Sequence, residues 1–156
     1  MNYGFIDDET IVKQAKKICD CIGHGMHGTA MQMIIETAVA ETGLGKIEDK
    51  TVGAGMGLTQ FDELPFKDIL KRNMKSRDKI LKELGVDIGL IEWNDLRYNS
   101  YLALLFARLF YWLKGDPIPK TIEERAAYWK LHYNTKLGKG TVEHYLEMNR
   151  KYGVKI

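Results

Sequence analysis

Residues 101–113 read YLALLFARLFYWL and form the most apolar stretch of the 156-residue chain. A helix that is apolar nearly all round is normally buried, because it has no face to turn toward water. The helix can begin at Asn94 or Asp95, and Gly115 follows its end as a stop signal. With 13 residues and an internal Arg108, the stretch is too short and too polar to span a bilayer. The sequence therefore predicts one central, buried helix.

The segments around this helix show helical spacing and capping residues. Asp7 or Asp8 can cap the first helix, Thr121 and Glu124 form a capping box, and Thr141 can cap the last helix. A glycine-punctuated loop, with room for a short strand or hairpin, is expected over residues 46–58. The chain has no evident linker or repeat, so we expect a single, mainly α domain over residues 1–156. The helices are predicted over residues 8–22, 30–42, 65–84, 94–113 and 122–132, and from 142 onward.

Charge and composition exclude several classes of protein. Hydrophobic residues make up 45% of the chain and charged residues 28%, which argues against a disordered chain. The net charge of +2 gives no whole-chain case for nucleic-acid binding. Residues 1–63 carry 5 basic and 10 acidic side chains, whereas residues 64–156 are net basic. An acidic first part and a basic remainder are compatible with a two-lobed site.

Targeting signals and disulfides are not evident. The acidic N-terminus lacks the apolar segment of a signal peptide. Cys19 and Cys21 are too close in sequence for an unstrained disulfide, so we expect a reduced, intracellular product. If the protein acts outside the cytosol, another agent must deliver it there.

Two short motifs near the first helix favour structural roles. Residues 23–28 read GHGMHG, which matches a dinucleotide-binding glycine pattern, but a predicted helix precedes it where that fold needs a strand. Cys19, Cys21, His24 and His27 offer metal-ligating atoms at a spacing that structural zinc sites do not use. We therefore expect no metal and no cofactor.

A basic run lies in the predicted charged helix. Several of its lysines are four residues apart and share one helix face. An anion-binding strip and a solvated helix face both explain the run, and the second is favoured because no aromatic residue interleaves it to stack on bases. The run comprises Lys67, Lys71, Arg72, Lys75, Arg77, Lys79 and Lys82.

Glu41 has the setting of a general acid. It ends the apolar second helix, just before Thr42-Gly43, where its negative charge opposes the helix dipole. A half-desolvated carboxyl holds its proton more tightly, as a general acid at neutral pH requires. Glu36 lies about 140° away around the helix, so the two carboxylates do not share a face. A surface glutamate at a helix end is the alternative.

Two glycine-rich segments could form a ligand cleft. Residues 53–62 read GAGMGLTQFD, and their glycines allow a ligand to approach the backbone closely. Gln60 supplies an amide of the kind that binds sugars. Downstream, Tyr133 can stack on a sugar ring and Asn134 can orient a substrate amide, next to the glycines of residues 138–140. A plain β-turn is the alternative for the first segment.

These pieces, in this order, resemble the lysozyme-like muramidases, which include the soluble lytic transglycosylases and the goose-type lysozymes. Residues 40–43 (AETG) resemble the family's Glu-Ser segment, and residues 55–60 (GMGLTQ) resemble its G-x-x-GLMQ segment. Tyr133-Asn134 with Gly138 and Gly140 resembles its AYNAG segment. The resemblance covers about residues 29–150. It implies a lysozyme-like fold, with a buried central helix and a small glycine-rich loop or hairpin at the cleft.

The resemblance also implies roles for individual residues. Glu41 would be the catalytic acid on the β-1,4 bond between N-acetylmuramic acid and N-acetylglucosamine. Asp62 resembles the aspartate of a goose-type Gln-Val-Asp pattern, and Asp49 has a rough goose-type counterpart. Either aspartate could activate water in a hydrolase, whereas a transglycosylase forms a 1,6-anhydro product, and both outcomes stay open. The substrate-binding residues would be Gly57, Thr59, Gln60, Tyr133 and Asn134.

The chain departs from the family pattern at four positions. Thr42 replaces Ser, Thr59 replaces the Met of GLMQ, and His132 and Thr135 flank Tyr-Asn where Ala is usual. These changes affect the sugar subsites more than the chemistry. A small domain with these motifs resembles phage muramidases, so we expect a virion or host-cytoplasm location before release and action at the bacterial cell wall. The expected partners are peptidoglycan strands and, in a virion, other virion proteins.

Two alternatives remain. A non-catalytic peptidoglycan-binding or structural virion protein could retain the fold, although the presence of Glu41 argues against it. A helical nucleic-acid-binding protein could use the basic run, although we expect neither nucleic-acid binding nor membrane insertion.

Overall fold

The structure is a computed structural model that describes residues 2–47, 55–134 and 139–156. Within these ranges the chain is mainly helical and contains no strand, which confirms the mainly α class. An isolated antiparallel bridge joins Met56 and Phe61. The helices are α1 (Asp8–Ile22), α2 (Ala30–Thr42), α3 (Glu63–Lys71), α4 (Arg77–Leu84), α5 (Ser100–Trp112), α6 (Ile122–Trp129) and α7 (Val142–Tyr152).

Helix α5 forms the centre of the core, as its apolar sequence predicts. Every residue of α5 is buried except Tyr101, Phe110 and Trp112. The helix packs against α1, α2 and α3. Its one charged residue, Arg108, is also buried, and its Nε donates a hydrogen bond to the Gly23 carbonyl, 2.9 Å away, at the end of α1. A buried guanidinium is tolerated here because it satisfies a carbonyl that the end of α1 leaves unpaired.

Several predicted helix starts are confirmed because the caps that specify them are local. The Asp7 side chain accepts a hydrogen bond from the Thr10 amide, and Thr141 accepts one from His144. At the start of α6, Thr121 Oγ1 accepts from the Glu124 amide at 3.2 Å as predicted, whereas the Glu124 carboxylate accepts from the Thr121 hydroxyl at 2.8 Å instead of from the Thr121 amide. Thr29 precedes α2 but makes no side-chain cap, because its hydroxyl donates to the Pro119 carbonyl at 2.9 Å and so ties α2 to the loop before α6.

The single charged helix predicted over residues 65–84 is wrong. The chain forms α3 and α4 instead, and the backbone at Arg72 is extended, with φ −75° and ψ 133°. The guanidinium of Arg77 reaches back to the carbonyls of Ile69 and Leu70, at the end of α3. A side chain thus replaces the hydrogen bonds that a continued helix would supply.

The predicted bounds of two further helices also change. The central helix begins at Ser100, because Asn99 caps it by accepting from the Leu102 amide at 3.0 Å. The earlier residues form a separate 3₁₀ turn, Trp93–Leu96. Helix α6 is α-helical only to Trp129, and a π-helical turn, Lys130–Asn134, follows it. In the described ranges, none of the helices is long and apolar enough to cross a membrane.

Candidate functional site

Three segments that are far apart in sequence meet at the C-terminal end of α2. Thr42 Oγ1 donates to the Leu58 carbonyl at 2.7 Å, which joins the helix end to the glycine loop. Tyr133 Oη donates to the Thr59 carbonyl at 2.6 Å, which joins the π-helical turn to the same loop. The fold therefore brings the segments of Glu41, Gln60 and Tyr133 together.

Glu41 lies in the last turn of α2 and is half-buried. Its Oε2 accepts a hydrogen bond from Trp129 Nε1 at 3.1 Å. The Trp129 ring is only 1% exposed and packs on Tyr145, with 5.2 Å between the ring centroids. His144 Nε2 donates to the Ala40 carbonyl at 3.0 Å and holds the backbone next to Glu41. Contacts with Trp129 and His144 therefore hold the Glu41 carboxyl and its backbone at the edge of the core.

Gly43 fixes the position at which α2 stops after Glu41. Its φ of 57° and ψ of 36° are left-handed, and its amide donates to the Val39 carbonyl at 2.8 Å. The Leu44 amide donates to the Ala38 carbonyl at 3.3 Å, so both residues after the helix pair with carbonyls of its last turns. The sequence Thr-Gly thus leaves Glu41 at the helix end, as its pattern predicts.

The glycine loop is a tight turn closed by the bridge between Met56 and Phe61, with N–O distances of 2.9 and 3.0 Å. Gly57 has a φ of +76°, and a Cβ there would lie 2.1 Å from the Leu96 carbonyl oxygen. Gly57 is therefore required for packing of the turn. Thr59 is fully buried, and its hydroxyl donates to the Ala103 carbonyl at 3.4 Å. Its side chain thus faces α5, while its carbonyl holds Tyr133.

Gln60 has the most strained backbone of the turn, with a φ of +46° in a non-glycine residue. Its Nε2 donates to the Gly57 carbonyl at 2.9 Å. Its Oε1 is buried and has no hydrogen-bond partner among the residues that the structure describes. An unpaired buried acceptor normally costs about 1–3 kcal/mol. Strain and an unpaired acceptor in the same residue are typical of a ligand-binding position.

Aromatic rings enclose Tyr133 on several sides. Its ring lies 5.7 Å from Tyr111 in a stacked arrangement and 5.2 Å from Phe110 in an edge arrangement. Burial raises the pKa of Tyr133 well above its usual value, and the nearby charges of Glu41 and Asp62 raise it further. The phenol is thus a fixed hydrogen-bond donor. Because both carboxylates influence it, Glu41 and Asp62 lie in the neighbourhood of the same ring.

Gly140 lies close to both the Trp129 ring and the Asn134 side chain. The side-chain oxygen of Asn134 accepts from Lys130 Nζ at 2.9 Å. A Cβ on Gly140 would lie 2.5 Å from the Trp129 ring and 2.9 Å from the Asn134 amide nitrogen. Gly140 is therefore needed because these two side chains fill the space that a side chain of its own would take.

The structure describes one of the two aspartates that could activate water. Asp62 occupies the N-cap position of α3, but its side chain makes no capping hydrogen bond. Desolvation raises the pKa of its carboxyl above the usual value. A carboxylate that is partly desolvated and not used as a cap is available for other chemistry. Asp49 lies outside the described residues.

Glu36 has a structural role, on a different side of α2 from Glu41. Its two carboxylate oxygens accept from Arg125 Nε at 2.8 Å and from Arg125 Nη2 at 2.7 Å. Tyr145 Oη donates to the same carboxylate at 2.7 Å. Arg125 lies one turn before Trp129 on α6, so this buried network fixes the helix that carries Trp129 toward Glu41.

The cysteines and histidines near the end of α1 form no metal centre in the described part of the chain. Cys19 is fully buried, and desolvation raises the pKa of its thiol to about 11. His24 Nε2 is 2.7 Å from a carboxylate oxygen of Asp20. Cys19 is therefore a core residue, and His24 is held by a carboxylate of α1.

Sequence reasoning missed Trp129 as a residue of the site. Tryptophan packs into many kinds of core, so its side chain alone does not indicate contact with a carboxylate. The available signal was its position, four residues before Tyr133, which places both rings on one face of a helical turn.

We compared the chain with protein-family models, with curated proteins and with solved structures, and none of them matched. Inferences about function therefore depend on the residues of the site and on their geometry. The described part of the site combines a half-buried carboxyl, a strained glutamine with an unpaired acceptor, and a partly buried tyrosine.

Proposed function

We propose that the protein is a peptidoglycan-cleaving muramidase with Glu41 as its general acid. The observation that carries the proposal is the position of Glu41 on α2, with Trp129 bonded to its carboxyl and with Gln60 and Tyr133 held at the same helix end. The substrate bond is the β-1,4 linkage between N-acetylmuramic acid and N-acetylglucosamine. The buried helix α5 beside α2 supports a lysozyme-like arrangement.

In the proposed reaction, the protonated Glu41 gives its proton to the glycosidic oxygen as the bond breaks. Positive charge develops on the muramyl ring in an oxocarbenium-like transition state. Glu41 becomes anionic at this moment. The indole N–H of Trp129, which already points at Oε2, stabilises this carboxylate, because a hydrogen bond to a charged acceptor is stronger than one to a neutral group.

Gln60 supplies the proposed binding contact to the sugar. The unpaired Oε1 can accept a hydrogen bond from a substrate N–H or hydroxyl. An N-acetyl sugar offers both kinds of donor. Binding would thus satisfy an acceptor that the described part of the protein leaves unpaired, which makes the interaction more favourable than the pairing of an exposed group.

Asp62 bears on the fate of the cleaved chain. In an inverting hydrolase, a second carboxylate activates the attacking water. It lies about 6.5–9.5 Å from the carboxyl group of the general acid. Asp62 supplies a carboxylate of the kind that this role requires. Asp62 and Glu41 both raise the pKa of Tyr133, so both lie near that ring. In a transglycosylase, the muramyl 6-hydroxyl attacks instead, and Glu41 takes up its proton. Mass spectrometry of digested peptidoglycan separates the two: a reducing end indicates hydrolysis, and an anhydro end indicates transglycosylation.

The proposal is tested with purified sacculi, whose turbidity falls as the glycan strands are cleaved. Glu41→Gln should lower the rate by about 100-fold or more, since general acid catalysis contributes about 10²–10⁴-fold. Glu63→Gln is the matched control, because it makes the same chemical change at an exposed position next to Asp62. Equal rates for the wild type and Glu41→Gln would overturn the assignment of Glu41. Wild-type protein that binds sacculi without cleaving them would favour a non-catalytic wall-binding protein.

A further inference from the structure

A groove of about 660 Å³ lies between the connection from α3 to α4 and the C-terminal end of α5. Ligand sites commonly occupy about 300–1,000 Å³, so this groove has room for one or two sugar rings. Met74, Trp112 and Leu113 contribute apolar surface to it, and Arg72, Lys75 and Lys79 contribute positive charge. None of these residues belongs to the candidate site around Glu41.

Trp112 is the unusual residue of this groove. It is 44% exposed, although it lies at the end of the most buried helix of the protein. The basic run in residues 67–82 contains no aromatic residue of its own. The fold supplies one from α5, so an indole face and the basic side chains line the same groove. An exposed tryptophan beside cations is typical of a surface that binds an amphipathic anion.

The charge of the groove favours an anion. Residues 67–82 contain seven basic side chains and two acidic ones. Arg72 pairs with Asp68 at 3.0 Å and Lys79 approaches Glu83 at 3.9 Å, but both pairs are exposed and contribute little. Within the described ranges, Lys75 has no carboxylate partner. A ligand with carboxylates would therefore gain charge-assisted hydrogen bonds without breaking a buried ion pair.

We propose that this groove is a second binding site for the carboxylate-bearing part of a peptidoglycan strand. Trp112 packs on the apolar face of a sugar ring, and Arg72, Lys75 and Lys79 bind carboxylates of the lactyl group or the stem peptide. The choice of a wall glycan as the occupant rests on the proposed function. The groove, its charge and its exposed indole are observations that do not depend on the proposed function.

The position of the groove supports binding of one strand at both sites. Helix α3 begins next to Asp62 and ends next to Arg72. Nine helical residues span about 14 Å at 1.5 Å per residue, so a glycan strand that passes Glu41 could extend along α3 to the groove. Binding at a second point raises the effective concentration of the strand at the first.

The test measures binding of fluorescently labelled protein to purified sacculi in the Glu41→Gln background, in which bound strands are not cleaved. Trp112→Ala and the double change Lys75→Ala/Lys79→Ala should each weaken binding about tenfold, as loss of an aromatic or a charge-assisted contact predicts. The matched control is Lys13→Ala/Lys16→Ala on α1, which removes the same charge from another face and should leave binding unchanged. Urea midpoints would show that all variants are folded.

Each outcome is informative. If Trp112→Ala binds sacculi as tightly as its parent, or if the α1 control weakens binding equally, the second site is refuted. The glycan would be refuted as the occupant if the protein bound an oligo-dT strand or phosphatidylglycerol vesicles more tightly than sacculi, and if the groove variants weakened that binding. If the groove variants weaken binding to sacculi but the wild-type protein does not cleave sacculi, the second site is supported and the muramidase proposal is refuted.

Discussion

The buried pair of Glu36 and Arg125 allows a quantitative prediction. In Arg125→Met, the Glu36 carboxylate loses two hydrogen bonds, of 2.8 and 2.7 Å, and stays enclosed. The Lys120 carbonyl also loses its 2.6 Å bond from Arg125. The side chains of the pair are only 8% and 11% exposed, so water cannot fully replace these partners. Breaking a buried pair of this kind costs about 3–5 kcal/mol.

Urea denaturation followed by circular dichroism measures this loss. With a slope of about 2 kcal/mol per molar urea, the unfolding midpoint of Arg125→Met should fall by about 1.5–2.5 M. The double variant Glu36→Leu/Arg125→Met should recover much of the loss, because it leaves no unpaired charge in the core. Glu147→Gln is the control, since its partner Arg150 is exposed on α7, and its midpoint should not change. A fall of less than about 0.5 M for Arg125→Met would refute the reasoning.

Three further predictions concern single side chains. Trp129→Phe keeps the ring on Tyr145 but removes the N–H from Glu41, so kcat/KM on sacculi should fall by about 10–100-fold, and an unchanged kcat/KM would contradict the role of Trp129. The pKa of Asp62 is raised in the folded state, so this carboxyl favours folding at pH values below its unfolded-state pKa, and that stabilisation is lost as the pH rises. The free energy of unfolding of Asp62→Asn should therefore increase relative to that of the wild type from about pH 4 to about pH 7, as measured by urea titration. A difference between the two proteins that does not change with pH would refute this. Burial and a thiol pKa of about 11 should make Cys19 unreactive toward a thiol reagent at about pH 8 until the protein unfolds, and rapid labelling of the native protein, located by peptide mapping, would contradict its burial.

Helix ends were predictable where the signal is local. Asp7, Thr121 and Thr141 bond to amides within three residues, so their sequence context contains the whole interaction. The gap between α3 and α4 was not predictable in this way. Ile69 and Ile80 are 11 residues apart, close to three helical turns, so the apolar pattern suits one continuous helix. The break depends on contacts of Arg77 with carbonyls that only the folded chain brings near.

The candidate site shows the same division. The sequence Glu-Thr-Gly predicted that Glu41 ends a helix, and the structure confirms that position. The sequence could not predict that Trp129, 88 residues later, contacts Glu41, because that contact depends on how α6 packs. Nor could it assign Gly57 to packing against Leu96, since the glycine pattern suits a ligand equally well. Local patterns thus identified the segments, while tertiary packing determined the role of each residue.

The central claim is that Glu41 gives the proton that cleaves the glycan. The most direct test is mass spectrometry of the soluble products from purified sacculi, after incubation with the wild type or with Glu41→Gln under the same conditions. The wild type should release muropeptides whose new ends lie at N-acetylmuramic acid, and a folded Glu41→Gln variant should release almost none. The same products in the same amounts from both proteins would contradict the account.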